Sequence, residues 1–266
     1  MNFGLYTSFL GMRSRQQQLD LLANNIANAA TSGFKADRLL YRSLEAARQD
    51  PNASPSAAAA GADTNSTTST ENGLTRVRYG VDVGVVTTQT TDFAMGPVRE
   101  TGRSLDVALN GDAFIVVQTP RGERYTRQGS LTLDASGQLV TQRGDLVVGD
   151  AGPITIPPGD VQIGEDGTIS SGNQIAGRLK LVRFAQPTTA LAKEGESLFM
   201  RVGNAQPEEA TDTRVVQGAL EMSNVNSLTE MVAMMQNSRE FESMQKGIST
   251  LMNDLGRKVA NELGRL

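Results

Sequence analysis

Between Leu5 and Ala30 the positions 5, 9, 12, 16, 19, 23, 26 and 30 alternate in steps of four and three. They read Leu5, Phe9, Met12, Gln16, Leu19, Ala23, Ile26 and Ala30, with one polar interruption. This spacing predicts a helix with a narrow heptad seam, the pattern of a helix that lies along another helix. The far end of the chain repeats the theme. Ser227 reads as an N-cap with Glu230 three residues on, a capping-box arrangement, and a helical pattern then runs towards Leu266. Its apolar positions are Met231, Met234, Phe241, Met244, Ile248, Leu251, Leu255 and Val259. Gly247 and Gly256 each cost about 1 kcal/mol against Ala, so such a helix is marginal alone. Its methionines offer an adaptable apolar surface.

The pattern between these ends is different. Residues 49–72, QDPNASPSAAAAGADTNSTTSTEN, carry almost no apolar bulk and read as a flexible or loosely draped loop. From 77 to 202 short β-branched runs such as VALNGDAFIVVQT, GPITIPPG and GRLKLVRF follow one another. Asn-Gly, Ser-Gly and Asp-Gly pairs separate them at hairpin spacing. Strands without intervening helices predict an antiparallel sheet folded into a small sandwich or barrel. The expected fold class is therefore mixed α and β. Long N- and C-terminal helices (1–35 and 225–266) pair in a coiled-coil-like core domain. A linker spans 36–76, a central antiparallel all-β domain 77–202, and a return linker 203–224.

Composition narrows the function. The chain of 266 residues has no Cys and no His, which removes thiolate nucleophiles, Ser-His-Asp triads and imidazole metal ligands. No Gly-x-Ser-x-Gly, phosphate-binding loop or calcium-loop spacing is present. Asp106 and Asp112 flank a strand-like run, but acids in such Gly-Asp punctuation serve turns far more often than catalysis. No catalytic, cofactor or metal site is expected. A net charge of −4 argues against nucleic acid as a partner. No apolar run is long enough to span a membrane, and the N-terminus does not read as a cleavable secretory signal.

The stretch ANNIANAATSGFK at 23–35 asks for more than a local helix stop. Asn is an indifferent helix former, yet Asn24, Asn25 and Asn28 are threaded through the seam. Each amide both donates and accepts, so it can satisfy a neighbour's polar groups when buried. Gly33 is placed to adopt positive φ and end the helix, with Phe34 packing back on its last turn.

This stretch resembles the signature of the flagellar rod and hook proteins. TGRSLDVALNGDAFIVVQTPRGERYTRQGSLTLDASGQLVT at 101–141 is similar to the family's β domain. GALEMSNVNSLTEMVAMMQNSREFE at 218–242, including Asn224 and Asn226, is similar to its C-terminal signature. The resemblance implies a structural axial component of the bacterial flagellum, not an enzyme. Such proteins pair their terminal helices, polymerise helically into a tube, and leave the cell by the flagellar type III export apparatus. The implied partners are copies of itself and neighbouring rod proteins, and the implied location is the periplasmic rod of the basal body. Arg239-Glu240-Phe241-Glu242 and GDAGPITIPPG at 149–159 resemble the proximal-rod branch more than the distal one, which remains the alternative. Ala29 and Ala30 stand where relatives often have Val and a polar residue. A secreted β-rich adhesin or carbohydrate-binding module is the alternative of another class, weakened by the scarcity of aromatics for sugar stacking. The expected subunit contacts are Leu5, Phe9, Met12, Leu19, Asn24, Asn25, Ile26, Asn28, Gly33, Phe34, Asn224, Asn226, Met231, Met234, Phe241, Met244, Ile248, Leu251 and Leu255.

Overall fold

In the computed structural model the described residues are 2–43, 68–71, 74–77, 85–195 and 197–263. They divide into two units: Met1–Ala27 with Asn226–Leu266, and Asn28–Val225.

The first unit is helical. The N-terminal helix Asn2–Ala27 packs against the C-terminal helix Ser227–Leu263, as expected for a fold with a helix at each end. The N-terminal helix stops before Ala30, the last position of its heptad pattern, and residues 28–30 form a turn instead. The C-terminal helix is capped by Asn226 rather than Ser227: the Asn226 Oδ1 accepts from the Thr229 N–H at 3.2 Å. An Asn one residue earlier reaches the third amide of the helix, which is the position a cap must fill. With Asn226 as the cap, Glu230 is the fourth residue of the helix rather than the third, and its Oε2 is buried without a partner.

The second unit is a large antiparallel β domain. Its main sheet has ten strands, with the path Leu191–Glu194, Leu198–Arg201, Gly122–Thr126, Phe114–Thr119, Leu146–Gly149, Leu139–Thr141, Leu131–Leu133. Phe114–Thr119 is buried on both faces, and this explains why its sequence is a continuous apolar run rather than an alternating one. Ile115 and Val117 face an aliphatic core with Leu131, Leu139, Val147 and Ile169. Phe114 and Val116 face an aromatic core with Tyr125, Phe184 and Phe199. Burying each such side chain stabilises the fold by about 1.5–3 kcal/mol.

Two of the expected hairpins form where turn pairs announced them. Ser136-Gly137 joins Leu131–Leu133 to Leu139–Thr141, and Asp166-Gly167 joins Val161–Ile163 to Thr168–Ser171. Asn110-Gly111 does not close a hairpin. The strand before it, Val107–Asn110, pairs with Arg214–Gln217 near the other end of the unit. Strands also occupy stretches read as linkers. Asp37–Ser43 pairs with Val85–Thr91, and Ala219–Glu221 pairs with Val98–Glu100. Charged residues interrupt these segments, and only the distant partner makes them strands. Of the low-complexity stretch 49–72, only 68–71 lies within the described residues, as a strand paired with Leu74–Val77.

Candidate functional site

The seam residues are unevenly placed. On the N-terminal helix Met12, Leu19 and Ile26 are half-buried, Asn24 is exposed and Asn25 is buried; Asn28, just past it, is buried too. On the C-terminal helix the less exposed side chains include Asn237, Phe241 and Ile248, which share one line at helical spacing. Arg15 reaches this line across the pair. Its Nη1 donates to Asn237 Oδ1 at 3.0 Å, and its Nη2 lies 2.8 Å from Glu240 Oε2. Met231, Met234, Met244 and Leu251 are exposed, as are Leu228, Val232, Met235 and Met252. The side chains of Leu5, Phe9 and Leu255 lie outside the described ones.

Gly33, Phe34 and Asn224 are brought together in the β unit, at the roots of both connections to the helices. Gly33 has φ +69°, and a side chain there would meet the backbone N of Gln128 at 2.4 Å. Glycine is thus required by close approach to another segment as well as by conformation. Its N–H donates to the Glu221 carbonyl at 2.8 Å. Phe34 is buried with the Lys193 ammonium 3.5 Å from its ring centroid. It is thus buried within the β unit. Asn224 bridges the segments that lead into the strands around it: its Oδ1 accepts from Ala36 N at 2.8 Å, and its Nδ2 donates to the carbonyls of Asp92 and Ala94. Asn226 serves as the helix cap and takes no part here.

Residues missed by sequence reasoning hold this junction together. Lys35, Arg127 and Glu221 are all buried. Glu221 Oε1 accepts from Lys35 Nζ at 2.5 Å and from Gly96 N at 2.9 Å, while Oε2 accepts from Arg127 Nη1 at 3.1 Å. Lys35 also donates to the Ala94 carbonyl at 2.7 Å. A second pair lies alongside, where Lys193 Nζ donates to the Lys35 carbonyl at 2.7 Å and to Asp37 Oδ2 at 3.1 Å. Residues 33–37, 92–96 and 221–224 are thus fastened to one another by buried charge.

Burial sets the electrostatics. Desolvation pushes the Lys35 ammonium below the usual lysine value, opposed chiefly by the Glu221 carboxylate. The same cause lowers Lys193, opposed by Asp37, and lowers Arg127, opposed by Glu221 and then Asp112. The Arg127 Nε is buried without a partner, and its guanidinium lies 5.2 Å from the Phe114 ring centroid. None of this is arranged for chemistry on a substrate. Asp106 is a buried turn residue, accepting from Thr101 Oγ1 at 2.7 Å and Arg103 Nη2 at 2.6 Å. Among the described residues no group of acids is placed to hold a metal ion, and no helix is long and apolar enough to cross a membrane.

Comparison with known proteins gives matches along the chain. Residues 5–35 match the family described as "Flagella basal body rod protein". Residues 108–171 match "Flagellar hook protein FlgE/F/G D1 domain", and 216–261 match "Flagellar basal body rod FlgEFG protein C-terminal". The chain is 35% identical to the flagellar basal-body rod protein FlgF of Caulobacter vibrioides, over 100% of both chains. It is 34% identical to FlgF of Escherichia coli, over 99% of this chain and 98% of that one. Identity to the rod protein FlgG of Bacillus subtilis is 33%, over 92% and 94%.

Proposed function

This chain belongs to the flagellar basal-body rod protein family, whose members are structural and not enzymes, and from that premise we propose how it builds a rod. Subunits polymerise helically with copies of themselves and with neighbouring rod proteins, transmit torque, and line the channel through which later subunits pass. The observation that carries this reading is the C-terminal helix. Over its 37 residues it leaves the apolar side chains of Leu228, Met231, Val232, Met235 and Met252 exposed, four of them within two turns of one another. Repetition of one heterologous contact by a screw operation would cover it and generate an open filament.

In this reading the two terminal helices pair as a coiled coil. The contacts between subunits come from Met12, Leu19, Asn24, Asn25 and Ile26 on one helix and from Met231, Met234, Phe241, Met244, Ile248 and Leu251 on the other. The junction around Glu221 is the mechanical counterpart. Residues 33–37 and 221–224, which lead to the two helices, are both held there, so load along either connection would enter the β domain through the same buried Lys35–Glu221 pair and Asn224 hydrogen bonds. Arg239-Glu240-Phe241-Glu242 and residues 149–159 favour the proximal-rod position, adjoining the distal rod. Export through the type III apparatus and a periplasmic location complete the reading.

Electron microscopy of basal bodies from cells lacking this gene tests it. The expected result is a basal body that stops short of a complete rod, restored by the gene on a plasmid. Complete rods in the deletion strain would overturn the assignment.

A further inference from the structure

The chain has ten methionines and no cysteine, so thioether sulfur is its most easily oxidised group. These sulfurs are concentrated on the C-terminal helix, where Met231, Met235 and Met252 are 47%, 55% and 55% exposed. At 3.6 residues per turn the three fall within a sector of about 100°, on one side of the helix. Leu228 and Val232, also exposed, flank Met231 and Met235.

We propose that Met231, Met235 and Met252 form a peroxide-sensitive modification site that keeps an oxidised subunit out of the rod. The inference rests on the reading that this helix face is covered in the assembled rod. In the step itself, a sulfur lone pair attacks one oxygen of hydrogen peroxide and the O–O bond breaks. The departing hydroxide takes up the remaining proton and leaves as water. Sulfur is oxidised by two electrons to the sulfoxide, and the peroxide is reduced. At Met231 and Met235 each event sets a strongly polar S=O group beside the exposed Leu228 and Val232, where a packed neighbour would have to bury it, and at Met252 it does the same beside the exposed Leu251. The change is reversible, because methionine sulfoxide reductases return the thioether. A free subunit is thus open to attack, and an incorporated one is shielded.

Three measurements on the full chain test this. Purified protein treated with hydrogen peroxide is mapped by peptide mass spectrometry. Met231, Met235 and Met252 should gain oxygen several-fold faster than the half-buried Met12 and Met222. Isolated basal bodies treated in the same way should show these three protected. Cells lacking their own copy are then induced to express wild type or Met231→Leu/Met235→Leu/Met252→Leu, with and without peroxide, and each strain is read against its own untreated control. Wild type should lose rod assembly several-fold under peroxide, and the triple variant should lose far less. Equal oxidation rates across the methionines, or an equal loss in the triple variant, would overturn the inference alone. Failure of untreated wild type to restore rods would overturn the subunit reading on which it rests.

Discussion

At the level of single residues, Glu221 is the most informative position. Two buried cations, Lys35 and Arg127, share its carboxylate, and the Gly96 amide donates to it as well. Removing one member of a buried ion pair strands its partners in low dielectric, at a cost of about 3–5 kcal/mol. Glu221→Ala should therefore lower the stability of the β unit by that amount, read as a shifted urea midpoint by circular dichroism. A loss below about 1 kcal/mol, the scale of an exposed pair, would show that water reaches the cluster. Tyr125 offers a test by titration. Burial, and then its 2.8 Å hydrogen bond to Glu123, push its phenol up to about 12. Between the ordinary value of 10.0 and about 12, the unfolded chain has lost this proton and the folded one still holds it. The contribution is fully present below the lower value and disappears as pH rises through the upper one. Tyrosinate absorbance should show one residue among the four tyrosines ionising last, and Tyr125→Phe should remove that step. A titration unchanged by the substitution would reassign the late proton.

At the level of elements, the sequence was most legible where neighbours in the chain are neighbours in space. The two terminal helices and the hairpins at Ser136-Gly137 and Asp166-Gly167 are written in local period and turn chemistry. Asn110-Gly111 carries the same signal, yet its strand pairs far away with Arg214–Gln217, because the buried face of Val107 and Leu109 decides the pairing. The junction was only half visible. Gly33 and Phe34 stand out in any reading, but Lys35 and Glu221 are separated by 186 residues and Arg127 and Glu221 by 94. No periodicity connects charges at such distances. Arg15 and Asn237 are 222 residues apart and equally hidden. The doubly buried strand Phe114–Thr119 carries its own prediction. Phe114 touches Phe93, Phe184 and Phe199 with ring centroids 5.7–6.2 Å apart. Phe114→Ala should cost about 3–5 kcal/mol through the cavity it leaves. The C-terminal helix should keep its helicity, since Phe114 belongs to the other unit. Loss of both signals together by circular dichroism would mean that the units unfold as one.

For the whole molecule, the proposed function would assign folding to the β unit and assembly to the helical unit, the two units into which the chain divides. The β unit has two hydrophobic clusters and its own buried charges, so it is expected to fold without a partner. The helical unit does not close in the same way, since much of the C-terminal helix is exposed apolar surface. A substitution on that helix should therefore damage the polymer far more than the subunit. Ile248→Asp is the sharpest case. Ile248 is half-buried in the single chain, so a carboxylate there keeps access to water and weakens the helix pair only in part. Inside a rod, neighbouring subunits would cover the same position, and the charge must then be buried unpaired or take up a proton, at a cost of several kcal/mol. Every subunit carries the defect, so each contact along the polymer repeats it. The expected outcome is loss of swimming and absence of complete rods in cells expressing only the variant, beside an unchanged β-sheet spectrum and melting temperature for the purified protein. Swimming cells with normal rods would remove Ile248 from the interface. A purified variant with a melted β unit would show that this helix stabilises the domain it was thought only to accompany.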